Sequence, residues 1–130
     1  MKLIIFLLIL FISKTLYSQG KTTRDYDKYI FKADSCYYIK DYKNSHLFFS
    51  LAFQANKDIA YVKDRYNAAC SWALDNKLDS AFIQLYRIAE KGSFSGYEAI
   101  NLDKDLADLR NDLRWLPLLN IIKSNSLRKQ

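Results

Sequence analysis

Residues 66–92, YNAACSWALDNKLDSAFIQLYRIAEKG, have the pattern of two amphipathic helices joined by a short polar turn. Small side chains stand where the two helices must touch, and bulky apolar side chains surround them. The small residues are Ala69, Ala73 and Ala81, and the bulky ones are Trp72, Leu85 and Ile88. Because the side chains at a contact set how closely two helix axes approach, this spacing is typical of helix packing. The segment therefore predicts a helical hairpin that serves as a scaffold and carries no chemistry of its own.

Two more helices are predicted before this hairpin. Apolar residues recur at three- and four-residue steps over about residues 24–39, which predicts a first helix. A phenylalanine-rich segment at residues 47–55 predicts a second, and Asp41 in the turn between them can cap it. In the quoted hairpin, we expect the last helix to cover about residues 79–90 and to end at Gly92. Glycine is the residue that most easily adopts a left-handed helix stop.

The four helices form two copies of one unit. Ala33, Ser45 and Phe49 in the first hairpin align with Ala69, Ala81 and Leu85 in the second, each 36 residues further along the chain. A constant offset between matching residues is the sign of an internal repeat. The chain also has only one proline and three glycines, and it shows no alternating polar pattern. The sequence therefore predicts an all-α fold.

The two units resemble tetratricopeptide repeats, which are helix-turn-helix units of ~34 residues. The residues that carry the resemblance are Tyr29, Ala33, Ser45, Phe49 and Ala52 in the first unit and Ala69, Trp72, Ala81 and Leu85 in the second. Three positions depart from the family pattern. Lys57 replaces the usual closing proline, Arg65 replaces the first aromatic residue of the second unit, and Ile88 replaces its last small residue. The resemblance implies two hairpins, at about 24–57 and 60–92, in a fragment of a right-handed superhelix.

The segment after the second hairpin is similar to the one that often closes bacterial members of this family. Ser95 and Glu98 have the spacing of a capping box, which predicts the start of a short helix. Five leucines then recur at steps of four and three residues and predict one apolar stripe: Leu102, Leu106, Leu109, Leu113 and Leu116. Pro117 either opens a last helix or bends one. We expect residues 93–123 to form a helical lid over the open end of the repeats, followed by a polar tail at 124–130.

The beginning of the chain predicts export. A charged residue, Lys2, precedes an unbroken apolar run at residues 3–12, and the small residue Ser18 follows. Ten apolar residues are too few for a membrane-spanning helix, which needs ~20, so a signal peptide at residues 1–18 is favoured over an uncleaved anchor. The repeat domain then occupies residues 19–123, in the periplasm or outside the cell.

Charge and cysteine usage narrow the class of protein. The formal charge is +6, but Lys and Arg are interspersed with Asp and Glu, which predicts a mixed solvated surface and no nucleic-acid stripe. Cys36 and Cys70 both fall within helical apolar patterns. A disulfide requires Cα atoms within ~7 Å, whereas helix axes pack at ~8 to 10 Å. Two separate buried thiols are therefore favoured over a disulfide.

No set of catalytic or metal-binding residues emerges from the sequence. His46 is the only histidine, so neither a histidine pair for a metal nor a Ser-His-acid arrangement can be assembled. We expect it on a helix flank. Asn101, Asp103 and Asp105 match the first positions of a calcium loop, but Leu106 stands where that loop needs glycine. These acidic residues are better explained as helix-start residues, and we predict a protein without enzymatic activity, metal or cofactor.

The family resemblance implies a binding surface. In tetratricopeptide repeats, ligands lie along the inner face that the first helix of each hairpin forms. The corresponding residues here are Ile30, Asp34, Tyr37, Tyr38, Tyr66, Cys70, Ala73 and Leu74. This tyrosine-rich face can either hold a peptide or helix, because aromatic residues supply large contact area, or be buried by the lid. We therefore predict a protein-protein interaction scaffold of the cell envelope. The alternative is a structural subunit that stacks on itself or on a larger repeat protein.

Overall fold

The computed structural model describes residues 22–130, and all regular secondary structure in that range is helical. Six α-helices and one 3-10 helix follow one another: α1 (Arg24–Tyr38), α2 (Tyr42–Ala55), α3 (Val62–Leu74), α4 (Leu78–Glu90), α5 (Tyr97–Leu102), the 3-10 helix (Lys104–Leu109) and α6 (Trp115–Arg128). The predicted all-α fold is confirmed. The predicted signal peptide at residues 1–18 lies outside the described residues.

The first four helices form two hairpins that lie side by side. α1 packs against α2, α3 packs against α4, and α2 also contacts α3. The predicted helices agree with these bounds to within a few residues, except that α2 begins at Tyr42, five residues before its predicted start. Asp41 caps α2 as expected, because its carboxylate accepts the backbone N–H of Asn44 at 3.3 Å.

The two hairpin turns repeat the same backbone hydrogen bonds. In the first turn, the N–H of Lys40 donates to Tyr37 O at 2.9 Å and that of Asp41 to Cys36 O at 2.8 Å. In the second turn, the N–H of Asn76 donates to Ala73 O at 3.0 Å and that of Lys77 to Trp72 O at 2.8 Å. Lys40 and Asn76 both have positive φ, at 63° and 57°, which ends each helix and reverses the chain. The 36-residue offset of the sequence thus recurs in the backbone.

Two groups of buried side chains form the interior. The smaller group lies in the first hairpin and reaches one residue of α3: Tyr26, Ala33, Phe49, Ala52, Phe53 and Ala68. The larger group joins the second hairpin to the C-terminal segment, which contributes Ile100, Leu106, Leu109, Trp115, Leu118 and Ile122 among others. Trp72 packs against both groups. The C-terminal segment is therefore part of the core, with α6 packed on α4 and the 3-10 helix packed on α3.

The end of α4 differs from the prediction. The helix ends at Glu90, and the left-handed residue is Ser93, with φ 52°, in place of Gly92. Gly92 serves a different purpose. A Cβ atom there would lie 2.8 Å from the carbonyl oxygen of Ile88 and 2.9 Å from Cγ2 of Val62, which is closer than real Cβ atoms approach. The missing side chain lets the end of α4 come close to the start of α3.

The predicted capping box at Ser95 and Glu98 is not formed. α5 begins at Tyr97, directly after Gly96, and no side chain caps it. The last helix, α6, continues to Arg128, beyond the expected start of a polar tail at residue 124. Pro117 lies in the first turn of α6, where its missing N–H has no intrahelical partner to lose. Of the two roles considered for this proline, it therefore has the first and opens the helix.

The prediction of one leucine stripe is wrong. Leu106 and Leu109 are fully buried, whereas Leu102, Leu113 and Leu116 are exposed. A 3-10 helix has three residues per turn, and the turns on either side of it interrupt the α-helical period. Leucines at steps of three and four therefore do not share a face. Leu102 is therefore a surface residue.

Candidate functional site

The structure divides the predicted inner face between open and covered residues. Tyr38 is 88% exposed, and Asp34 is also exposed. The other predicted groove residues are half-buried or buried: Ile30, Tyr37, Tyr66, Cys70, Ala73 and Leu74. On α3 this burial comes from the 3-10 helix of the C-terminal segment, which packs against that helix, whereas Ile30 packs against the core of the first hairpin.

Two tyrosine hydroxyls hold the 3-10 helix in place. Tyr66, on α3, donates to the Asp103 carboxylate at 2.7 Å. Tyr37, on α1, donates to the carboxylate of Asp105. Asp103 also accepts the backbone N–H of Asp105 at 3.0 Å, so the same carboxylate caps the 3-10 helix and binds α3. Part of the predicted groove is therefore occupied by the chain's own C-terminal segment.

Burial favours the protonated forms of Tyr66 and Cys70 at this contact. Desolvation raises the pKa of Tyr66 far above its usual range, and the hydrogen bond to Asp103 acts in the same direction. Desolvation also raises the pKa of the Cys70 thiol, and the negative charge of Asp103 adds to the effect. A neutral thiol is neither a good nucleophile nor a metal ligand. Cys70 therefore has no activated form in this environment.

Cys70, Asp103 and Asp105 have ligand atoms that all lie within 4.8 Å of one another, which is a spacing a metal ion could use. Their chemistry does not fit a metal site. Both carboxylates already accept tyrosine hydroxyls, and the raised pKa of Cys70 opposes the thiolate that a metal requires. The calcium-loop pattern is not assembled either, because Asn101 lies in α5 and Asp105 lies in the 3-10 helix. The cluster holds the 3-10 helix against the hairpins.

His46 contributes to the contact between helices, and the two cysteines are not bonded to each other. His46 Nε2 lies 2.8 Å from the Asp75 carboxylate, and its ring stacks on Trp72 with a centroid distance of 5.6 Å. These contacts join α2 of the first hairpin to the end of α3. Cys36 and Cys70 are both free thiols; Cys70 is buried as expected, whereas Cys36 is only half-buried.

An open cleft lies beside the covered face, between α3 and α5. Its volume is about 590 Å³, and its lining is mostly apolar; it includes Val62, Lys63, Tyr66, Phe94, Ala99 and Leu102. The rings of Tyr66 and Phe94 lie 5.5 Å apart, and Leu102 is 77% exposed. Sites for small ligands or side chains of a partner have volumes of ~300–1,000 Å³. Tyr66 is the one predicted groove residue in this lining.

The sequence pattern does not distinguish Phe94, Ala99 and Leu102 as surface residues of a cleft. Leu102 belongs to the same series of leucines at three- and four-residue steps as the buried Leu106. The neighbouring sequence does not indicate which of the two is exposed. The difference arises at Asp103, whose extended backbone (φ −67°, ψ 116°) ends α5 and turns the chain into the 3-10 helix. At that turn the Asp103 carboxylate accepts the Tyr66 hydroxyl from α3, which is a contact between residues far apart in the chain.

None of the helices between residues 22 and 130 is both long and apolar enough to span a bilayer. Comparison of the chain with protein-family models, with curated proteins and with solved structures gave no match. The resemblance to tetratricopeptide repeats therefore stays a prediction from the residues that carry it.

Proposed function

We propose that this protein is a non-enzymatic interaction scaffold of the tetratricopeptide-like class, and that it binds a peptide or helix of a partner protein in the cleft between α3 and α5. The exposure of Leu102 in a mostly apolar cleft is the observation that carries the proposal. Apolar surface in water is unfavourable, and apolar side chains of a partner would remove it from solvent. Docking of an apolar helix face in a groove is a recurring mode of recognition.

The variant Leu102→Asp tests this proposal. Purified protein is used to capture partners from an envelope extract, and mass spectrometry identifies and quantifies what is captured. We expect the variant to lose the captured partner, because it places a charge in an apolar cleft. Leu113→Asp is the matched control, since Leu113 is a leucine of the same segment that is 94% exposed and lies outside the cleft. Equal capture by the two variants, at unchanged helical content, would contradict the proposal.

The envelope location is part of the same proposal and rests on the sequence of residues 1–18, a charged start followed by a short apolar run. Mass spectrometry of the protein recovered from cell fractions checks it. We expect the exported form to begin at Gln19. Recovery from the cytoplasm of a chain that retains its first residues would argue against export.

A structural subunit is the second candidate, and one observation favours it. Phe31 on α1 and Ile39, directly after its last residue, are 74% and 70% exposed, and the main neighbour of α1 is α2 alone. Repeat stacks continue through such an uncovered edge helix. Light scattering over a concentration series separates the candidates. If the protein stacks on itself, the measured mass rises with concentration, and the variant Phe31→Glu stays at the monomer mass. A natural-sequence protein that stays monomeric at all concentrations would exclude self-stacking.

A further inference from the structure

A second cleft adjoins the apolar one. It has a volume of about 310 Å³, and it lies between the loop before α3 and the end of α4. Val62 lines both clefts, and its Cγ2 atom lies close to Gly92 at the end of α4. The exposed side chain of Ile59 adds apolar surface to the second cleft. The two clefts therefore meet at Val62, and we call the two together the paired cleft.

Positive charge is in excess along the paired cleft. Four cationic and two anionic side chains line it: Lys63, Arg65, Arg87, Lys91, Asp58 and Asp103. Both anions are already engaged by the protein. Asp58 accepts from Arg87 at 2.6 Å and from Arg65 at 3.3 Å, and Asp103 accepts the hydroxyl of Tyr66. The excess charge is therefore not neutralised within the lining.

Lys63 and Lys91 carry this unneutralised charge. Both are exposed, and neither forms an ion pair with another described residue. Lys63 lies at the apolar cleft and Lys91 at the second cleft, so that Val62 separates the two cations. Asp34, on α1, is an anion outside the lining whose charge interacts with that of Lys63. Partial desolvation and the negative charge of Asp64 raise the pKa of Asp34, and Lys63 opposes that rise.

We infer that the paired cleft binds an acidic, apolar peptide segment of a partner protein. Large apolar side chains of the segment enter the cleft at Leu102, and its carboxylates lie against Lys63 and Lys91. The inference rests on the proposed function and adds the chemistry of the partner to it. Complementary charge favours such a segment over a neutral or basic one and increases its rate of association.

Selection from a displayed library of short random peptides, with the purified protein as bait, tests the inference. We expect the enriched peptides to combine Leu or Phe with Asp or Glu, and we expect Leu102→Asp to abolish their binding. Enrichment of Leu102-dependent peptides without Asp or Glu would overturn the inference and leave the proposed function standing. Failure to enrich any peptide would count against both.

Charge variants then locate the acidic contact on an enriched peptide. Lys63→Glu combined with Lys91→Glu is expected to weaken binding about tenfold at low salt and to reduce its dependence on salt. Asp34→Asn is expected to strengthen binding, because it removes the anion that competes for Lys63. The control is Lys43→Glu combined with Lys77→Glu, which makes the same change in net charge at exposed lysines near the hairpin turns. If the control weakens peptide binding equally, binding depends only on the net charge of the protein, and the inference is overturned.

An anionic membrane is the competing partner for a basic and apolar surface. Sedimentation with vesicles of phosphatidylcholine, with and without phosphatidylglycerol, distinguishes it. We expect no cosedimentation that depends on Lys63 and Lys91. The opposite result would be binding to the anionic vesicles that is lost in the Lys63→Glu, Lys91→Glu variant, together with no enrichment of acidic peptides. That result would overturn the inference and identify a lipid surface as the partner.

Discussion

Among single residues, Arg65 departs from the repeat pattern, and its surroundings explain how a charged side chain replaces an aromatic one. It is 5% exposed, and its guanidinium lies 4.8 Å from the centre of the Phe53 ring. It also donates to Gln84 Oε1 at 2.8 Å and to Asp58. A buried cation is tolerated only when it is paired and hydrogen-bonded. These partners come from α2, α4 and a loop, so the sequence around Arg65 could not reveal them.

The buried tyrosines give a prediction for alkaline pH. Burial raises the pKa of Tyr26 and Tyr66 above the ordinary value of 10.0, and hydrogen bonds to Asp64 and Asp103 act in the same direction. A raised folded-state pKa means that the neutral phenols stabilise the fold fully below pH 10, and that this contribution is lost as pH rises above it. We therefore expect the free energy of unfolding to fall above about pH 10.

Ultraviolet absorbance of tyrosinate measures this directly. The chain has ten tyrosines, and we expect at least Tyr26 and Tyr66 to remain neutral in the folded protein at a pH where all ionise in urea. The variant Tyr66→Phe should remove one of the delayed ionisations. Titration of every tyrosine with a single ordinary pKa, while the helical content is intact, would contradict the buried hydrogen bonds.

Among the secondary-structure elements, the four hairpin helices could be predicted, whereas the geometry of α5 and the 3-10 helix could not. α1 to α4 follow the α-helical period over 13 to 15 residues each, and that period is a local property of the sequence. α5 and the 3-10 helix have six residues each, which is too short for a reliable period. The 3-10 helix is held by hydrogen bonds from Tyr37 and Tyr66, which lie elsewhere in the chain. The open cleft is built on these elements, and it was missed for the same reason.

The turn between the hairpins shows why the closing proline of tetratricopeptide repeats, which the hairpins resemble, is absent. Lys57 occupies the position of the usual proline, and its φ is 54°. A proline ring holds φ near −65° and has no N–H, whereas the N–H of Lys57 donates to Gln54 O at 3.3 Å. We therefore expect Lys57→Pro, the change toward the family pattern, to lower the free energy of unfolding by ~3 kcal/mol.

Lys57→Gly is the matched control for this position. Glycine adopts positive φ without the steric cost that other residues bear, so this variant should be as stable as the natural chain or more stable by up to about 1 kcal/mol. Urea denaturation followed by circular dichroism measures both variants. A stable Lys57→Pro chain would show that the turn does not have a left-handed residue at this position.

For the molecule as a whole, polar contacts join the parts that the sequence divides into repeats and lid. The two hairpins are linked by Tyr26 to Asp64 at 2.6 Å, by Ser45 to Ser71 at 2.8 Å and by His46 to Asp75 at 2.8 Å. Tyr37 links the first hairpin directly to the 3-10 helix. Hydrogen bonds between buried groups are costly to break on one side alone. We therefore expect the described part of the chain to unfold as one cooperative unit.

The two tryptophans allow a direct test of that cooperativity. Trp72 lies where the two cores meet and Trp115 lies in the C-terminal segment, so chains in which one of them is replaced by Phe report on different regions.

Ile122 is fully buried on α6, and Ile122→Ala should lower the free energy of unfolding by ~3 kcal/mol. In a cooperative molecule, the fluorescence of either tryptophan shows the same shift in the urea midpoint. The exposed Leu127→Ala serves as the control and should change neither midpoint. A lower urea midpoint from Trp115 fluorescence than from Trp72 fluorescence would show that the C-terminal segment detaches first. The 3-10 helix would then leave α3, and the predicted inner face would be exposed before the hairpins unfold.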